Sequence, residues 1–138
     1  MSYHETQYRV PYADTDQMGV VYYANYLEYF ERSRTEMLRD AGLPYRVLEE
    51  EGVILPVVEA HVYYRGSARY DDLLTFKSAI TEVKGVRIRI ETKIYCGDKL
   101  LVEGDVVLAC VNPERKAIRP PQCLREMAKR LSPVETDC

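Results

Sequence analysis

The residues whose types and spacing carry the most chemistry are Asp14 and Asp16, in the segment YADTDQMGVVYYANY that runs from Tyr12 to Tyr26. Two carboxylates ahead of a helix can hold a turn, cap the helix, or act as a nucleophile or general base. Capping suits them poorly. The run Gly19-Val20-Val21-Tyr22-Tyr23 separates the aspartates from the helical pattern that begins near Tyr23, too far for an N-cap side chain to reach. Asn25 is a cap only if the helix begins later. Without one, the first-turn N–H groups have no local side-chain partner, and such helix starts attract carbonyl oxygens and anions. A carboxylate beside a bare helix N-terminus is suited to attack on a polarised carbonyl.

Other chemistries find little support. A Ser-His-Asp or Cys-His pair needs a histidine in a cleft. His4 is near the terminus, and His61 shares a strand face with Glu59, Tyr63 and Arg65, which reads as a solvated or interface face. There is no G-x-S-x-G elbow, and Gly66 and Gly97 stand alone rather than in a phosphate-binding loop. Cys96, Cys110, Cys123 and Cys138 form no C-x-x-C pair, so no zinc site is expected and the thiols read as free, in a reducing compartment. A net charge of −3 lacks the basic excess of a nucleic-acid protein. No apolar run reaches the roughly 20 residues that span a bilayer, and the first residues lack a signal-peptide layout. The expectation is a cytoplasmic enzyme working with carboxylates, backbone amides and some of its 12 tyrosines, whose rings and hydroxyls suit wet pockets.

The elements that must position Asp16 follow from periodicity. A weak strand covers residues 3–11. The long helix is expected over Tyr23 to Ala41, closed by Gly42, with Tyr26, Leu27, Phe30, Met37, Leu38 and Ala41 on its apolar face. A short helical turn covers Tyr45–Glu51. The period then changes to two: Val86, Ile88, Ile90, Thr92, Ile94 and Cys96 alternate with Arg87, Arg89, Glu91, Lys93 and Tyr95, the pattern of a half-buried antiparallel strand. Gly97-Asp98 turns it into a strand over 100–111, and residues 54–65 and 73–83 make two more. A closing helix after Pro120-Pro121 carries Leu124, Met127, Ala128 and Leu131 on one face, and residues 132–138 read as a frayed tail of the single domain. One long helix followed by a run of strands implies an α+β fold, with a five-stranded antiparallel sheet curved around the helix.

The segment D-T-D-Q-M-G-V-V-Y, followed by N-Y and the helix YLEYFERSRTEMLRDAGLPY, then SARYDDLL and VVLACVNPERKAIRPP, resembles the hotdog-fold 4-hydroxybenzoyl-CoA thioesterase family, including its acyl-CoA thioesterases associated with the Tol-Pal system. The similarity spans roughly residues 5–131. It implies hydrolysis of an acyl-CoA thioester without metal or cofactor. Asp16 takes the place of the catalytic carboxylate, as nucleophile or general base, and Asp14 that of a loop organiser. The Tyr23 N–H takes the place of the amide that polarises the carbonyl, and Gly19 that of the glycine turning the loop into the helix. Many relatives carry histidine at the position of Tyr23, so no imidazole helper is expected. Pro56 and Val57 resemble the substrate-pocket strand supplied by a neighbouring subunit, so a homodimer or homotetramer is implied. Lys84, Arg87 and Arg89 are candidates for the CoA phosphates, or simply a solvated strand face. The acyl group, aliphatic or aromatic, stays open, as does acyl carrier protein in place of CoA. Three rival readings remain, one of them a plain structural domain, which makes no use of the D-x-D-x-x-G spacing. A dehydratase on the same fold would need a placed histidine. A non-catalytic acyl-CoA or partner-binding module would keep the pocket without using Asp16.

Overall fold

The computed structural model describes residues 3–130. In chain order the elements are β1 (His4–Arg9), a 3₁₀ turn (Tyr12–Asp14), α1 (Asn25–Asp40), α2 (Tyr45–Glu50), β2 (Val57–Tyr64), β3 (Leu73–Lys84), β4 (Arg87–Cys96), β5 (Lys99–Ala109) and α3 (Gln122–Arg130). The strands form one antiparallel sheet in the order β1-β3-β4-β5-β2. Leu131 and the tail expected at 132–138 lie outside the described residues.

The alternation of β4 does what its period demands. Ile88, Ile90, Thr92 and Ile94 are buried beneath α1, and they stand opposite Leu108, Val106, Gly104 and Val102 of β5. Helix α1 lies across that face along Tyr26, Tyr29, Phe30, Ser33, Met37 and Leu38, a spacing of three and four residues. Its C-terminus closes as a Schellman motif: the Gly42 N–H bonds the Arg39 carbonyl at 3.0 Å and the Leu43 N–H bonds the Leu38 carbonyl at 2.8 Å. That geometry needs the positive φ of +85° which Gly42 supplies. Between helix and sheet, Ser33 Oγ meets Ser78 Oγ at 2.5 Å and Ser78 Oγ meets Thr92 Oγ1 at 2.8 Å, so the three buried hydroxyls satisfy one another.

Three sequence expectations change. Leu27 is not on the buried face; it is 42% exposed, because the stripe runs through Tyr29 and Ser33 rather than through Leu27. The helix starts at Asn25 instead of Tyr23, with Ala24 at the N-cap and no side-chain cap bond. The second strand is shorter than 54–65. Pro56 cannot donate to a ladder, and Ile54 makes only an isolated bridge to Val111. Cys96, Cys110 and Cys123 are free thiols. Among the described residues no helix is long and apolar enough to cross a membrane.

Candidate active site

The segment between the 3₁₀ turn and α1 folds into a miniature antiparallel ribbon. The Tyr22 N–H donates to the Asp14 carbonyl at 2.9 Å, Thr15 bridges Val21, and the Asp16 N–H donates to the Val20 carbonyl at 2.9 Å. Asp16 therefore sits at the ribbon's tip. The tip closes where the Gly19 N–H reaches the Asp16 carbonyl at 3.0 Å, with Gly19 at φ +78°. A side chain there would be strained in the left-handed region, which accounts for the glycine. The return strand ends at Tyr22, so Tyr23 and the helix start emerge directly beside the carboxylate-bearing strand.

The two carboxylates differ in environment. Asp14 Oδ2 accepts the Tyr29 hydroxyl at 2.7 Å, which ties the ribbon to the buried face of α1. Burial, and then the Asp14 carboxylate itself, push the Tyr29 phenol well above its ordinary value of 10.0, so it stays protonated as the donor. Tyr26 is raised mainly by burial, and Tyr3, half-buried beside Glu91, is pushed up to about 12 by that burial and then by the Glu91 carboxylate. These phenols are favoured neutral in the folded protein, so the stability they supply is complete below pH 10 and lost as pH rises beyond it. Urea midpoints should fall progressively above about pH 10, and Tyr29→Phe should flatten that fall. An unchanged slope in the variant would remove Tyr29 from the explanation.

Asp16 is exposed. Its Oδ1 accepts the Met18 N–H at 2.8 Å and lies 3.5 Å from the Val20 N. Those contacts fix the carboxylate plane and leave Oδ2 without a hydrogen bond among the described residues. Where the ribbon leads into α1, the helix start is open. The Asn25 N–H bonds the Tyr22 carbonyl at 2.8 Å. The Tyr23 and Ala24 N–H groups make no hydrogen bond among the described residues. Open amides at the positive end of a helix can hold a carbonyl oxygen, and a carboxylate with a free oxygen is able to attack a carbonyl carbon so polarised.

A second loop clamps this arrangement. The Val21 N–H donates to the Ala68 carbonyl at 2.8 Å and Val20 bridges Arg69. The Ala68 N–H donates to the Tyr26 hydroxyl at 3.0 Å, and the Arg69 N–H to Asp72 Oδ2 at 2.9 Å. The segment S-A-R-Y-D-D, which had no assigned role in the sequence, thus backs the ribbon. Tyrosines surround the opening: Tyr22 packs on Tyr23 with ring centres 4.8 Å apart, and Tyr64 stands edge-on to Tyr23 and Tyr26. Sequence reasoning missed Tyr29 and Tyr64. Tyr29 was legible as the residue three after Tyr26 on the helix; nothing local marks Tyr64.

The remaining sequence candidates lie elsewhere in the chain. Pro56 and Val57 are exposed at the far end of β2, seven residues from Tyr64, or about 23 Å at 3.3 Å per residue. Lys84, Arg87 and Arg89 line one cleft of about 550 Å³ with Glu82, Val86 and Val107. That cleft is at the same end of the sheet as Val57, since Val57 pairs with Leu108 and Arg87 with Ala109. Arg89 is bonded to Asp105 and lies 3.5 Å from Glu82, and Arg87 is 3.7 Å from Glu59. Among the described residues Lys84 forms no ion pair. His61 faces outward as expected, 3.1 Å from Asp105, and His4 pairs with Asp40 at 2.7 Å. Neither is near the ribbon.

A long helix packed on one face of a five-stranded antiparallel sheet is the architecture of the hotdog-fold thioesterases. A probable thioesterase from Bartonella henselae superposes with a TM-score of 0.83 at 40% identity, over 87% of this chain and 100% of that one. A 1,4-dihydroxy-2-naphthoyl-CoA thioesterase from Synechocystis superposes with a TM-score of 0.87 at 25% identity, over 94% and 98%. In sequence, the acyl-CoA thioester hydrolase YbgC of Escherichia coli is 40% identical over 106 residues, 76% of this chain and 79% of that protein. Residues 10–131 match the thioesterase-like superfamily. The chain belongs to that superfamily.

Proposed function

We propose that this protein hydrolyses acyl-CoA thioesters at the helix start, with Asp16 as the catalytic carboxylate. The observation that carries the reading is the pair of open amides at Tyr23 and Ala24, at the start of the helix into which the ribbon bearing the exposed Asp16 leads. The thioester carbonyl oxygen accepts the Tyr23 N–H, which stabilises the negative charge that develops there. Asp16 then acts in one of two ways. As nucleophile, Oδ2 bonds the carbonyl carbon and the C–S bond breaks, giving a mixed anhydride and CoA thiolate; water then cleaves the anhydride. As general base, Asp16 takes a proton from the water that attacks the same carbon. Thiolate is a good leaving group, so neither route needs the histidine that this site lacks.

The reading extends to a homodimer. Among the described residues β2 is a sheet edge paired only to β5, and it exposes Val57, Val58, Tyr63 and Tyr64. An exposed, partly apolar edge invites pairing with another strand. A second copy laid antiparallel along β2 would bring its Pro56 and Val57, and the Lys84 and Arg87 end of its sheet, toward this subunit's Tyr64 and Asp16. The CoA phosphates would then meet Lys84 and Arg87 from the partner, with Arg89 held by its carboxylates as a buttress. Both the naphthoyl-CoA and acyl-CoA activities named for the relatives fit a tyrosine-rimmed opening, so the acyl class is a matter for assay. The free thiols support a reducing, cytosolic setting.

Free-thiol release from short, medium, long and aromatic acyl-CoAs, by protein whose solution mass is at least twice the 16.0 kDa of the chain, should show strong turnover of one acyl class. Tight acyl-CoA binding with no turnover of any member would replace the enzyme by a binding module.

A further inference from the structure

Tyr64 is the last residue of β2 and pairs with Val102, so its ring points to the helix side of the sheet, while its neighbour Tyr63 pairs with Glu103 on the outer face. Its hydroxyl donates to the main-chain carbonyl of Tyr23 at 3.1 Å. Its ring stands edge-on to the rings of Tyr23, at 6.4 Å and 79°, and of Tyr26, at 5.8 Å and 64°.

That hydrogen bond falls on a sparsely held peptide. Regular helix begins only at Asn25, so the unit joining Tyr23 to Ala24 lies outside the ladder. Its N–H has no partner among the described residues. Its carbonyl receives only a long bond of 3.4 Å from the Tyr26 N–H besides the one from Tyr64. The preceding unit, which carries the Tyr23 N–H, is held on its carbonyl side by the Asn25 N–H at 2.8 Å. Tyr23 is the hinge between the two. With the first peptide fixed by the chain itself and the second by Tyr64, both backbone dihedrals of Tyr23 are pinned and both amides are aimed outward. A hydrogen bond to a carbonyl also polarises the N–H of the same peptide, here that of Ala24.

We infer that Tyr64 is a positioning residue for the carbonyl-polarising amides: it fixes the Tyr23–Ala24 peptide from the edge strand and so sets the donors at the helix start. The inference rests on the proposed use of those amides and of Asp16. It also accounts for a tyrosine rather than phenylalanine at a strand end whose side chain is 48% exposed by residue. A pocket-lining ring would need no hydroxyl.

The test is Tyr64→Phe, which keeps the ring against Tyr23 and Tyr26 and removes only the hydrogen bond. Tyr63→Phe on the outer face serves as the matched control. Removing an oxyanion donor outright costs about 10²–10³ in turnover, so losing its alignment should lower kcat about tenfold. KM should change little, and the reduction should be the same for every acyl group the enzyme accepts. The urea midpoint should stay close to that of Tyr63→Phe. An unchanged kcat would overturn the inference, and so would a change confined to KM that varies with the acyl group, since that pattern marks a pocket wall. Asp16→Asn run in parallel separates the two levels. If that variant is inactive while Tyr64→Phe keeps wild-type kcat, the positioning role alone fails. If Asp16→Asn keeps wild-type turnover, the site assignment fails and takes the Tyr64 role with it.

Discussion

Asp16→Asn should lower acyl-CoA turnover by about 10³-fold, in the range lost when a positioned acid–base group is removed, while leaving the fold unchanged. The substitution is informative because of how Asp16 is held. Its Oδ1 accepts the Met18 N–H at 2.8 Å, and an asparagine amide oxygen can accept the same bond, so the tip of the ribbon survives. What is lost is the negative charge and the nucleophilic or basic Oδ2. Asp16→Ala removes the acceptor as well, so it should add a loss of local order that the Asn variant does not show. Asp14→Asn is the companion: its carboxylate is engaged by the buried Tyr29 hydroxyl, so its effect should register in stability as well as in rate. Asp16→Asn with wild-type turnover would mean the carboxylate only shapes its turn. A single turnover in heavy-oxygen water then divides the mechanisms. Product acid free of label in the first cycle identifies the anhydride route with water attacking the Asp16 side, because the transferred oxygen came from Asp16.

The largest stability effect is expected at Gly104. It lies in the middle of β5, opposite Thr92 of β4 and Val62 of β2, with the buried ring of Phe30 resting on it. A Cβ there would stand 2.0 Å from the His61 carbonyl oxygen and 2.9 Å from the Phe30 ring. The aromatic ring could move; the backbone oxygen belongs to a paired strand and cannot yield without breaking the ladder. Gly104→Ala should therefore cost about 3 kcal/mol or more, at the upper end of overpacking penalties. Combining it with Phe30→Leu should recover only part of the loss, since the clash with His61 remains. Urea unfolding of the single and double variants measures both; a Gly104→Ala protein as stable as wild type would show that the sheet relaxes more freely than its pairing implies. The consequence reaches the site, because Phe30 and Tyr29 are adjacent on the helix that carries the open amides.

Much of this molecule is written locally in its chain. The alternation from Val86 to Cys96 is a strand pattern by itself, because successive side chains of a strand face opposite ways. The recurrence of apolar residues between Tyr26 and Leu38, stopped by Gly42, is a helix with its end marked. The absence of a capping side chain just before that helix is also local, and it leaves the first amides open. The D-x-D-x-x-G spacing is a turn that only certain residues permit.

Other features belong to no segment alone. Strand order places β2 at the edge and Lys84, Arg87 and Arg89 far from Asp16, and it depends on pairings between residues tens of positions apart. The pairing of Arg89 with Asp105 and of Arg87 with Glu59 joins different strands, so two of the three cations that look free in the sequence are partly neutralised in the fold. Leu27, expected on the buried face, is exposed, and Tyr29, for which no place was expected, is buried. Burial depends on where the sheet lies, and a tyrosine can enter a core once a partner such as Asp14 accepts its hydroxyl. The helix starts at Asn25, two residues later than the apolar pattern suggests, and the Tyr23 carbonyl ahead of it accepts the Tyr64 hydroxyl rather than a local side chain. Periodicity and turn chemistry act over a few residues and are legible there; edge position, charge pairing and the aim of an amide come from contacts that only the folded chain makes.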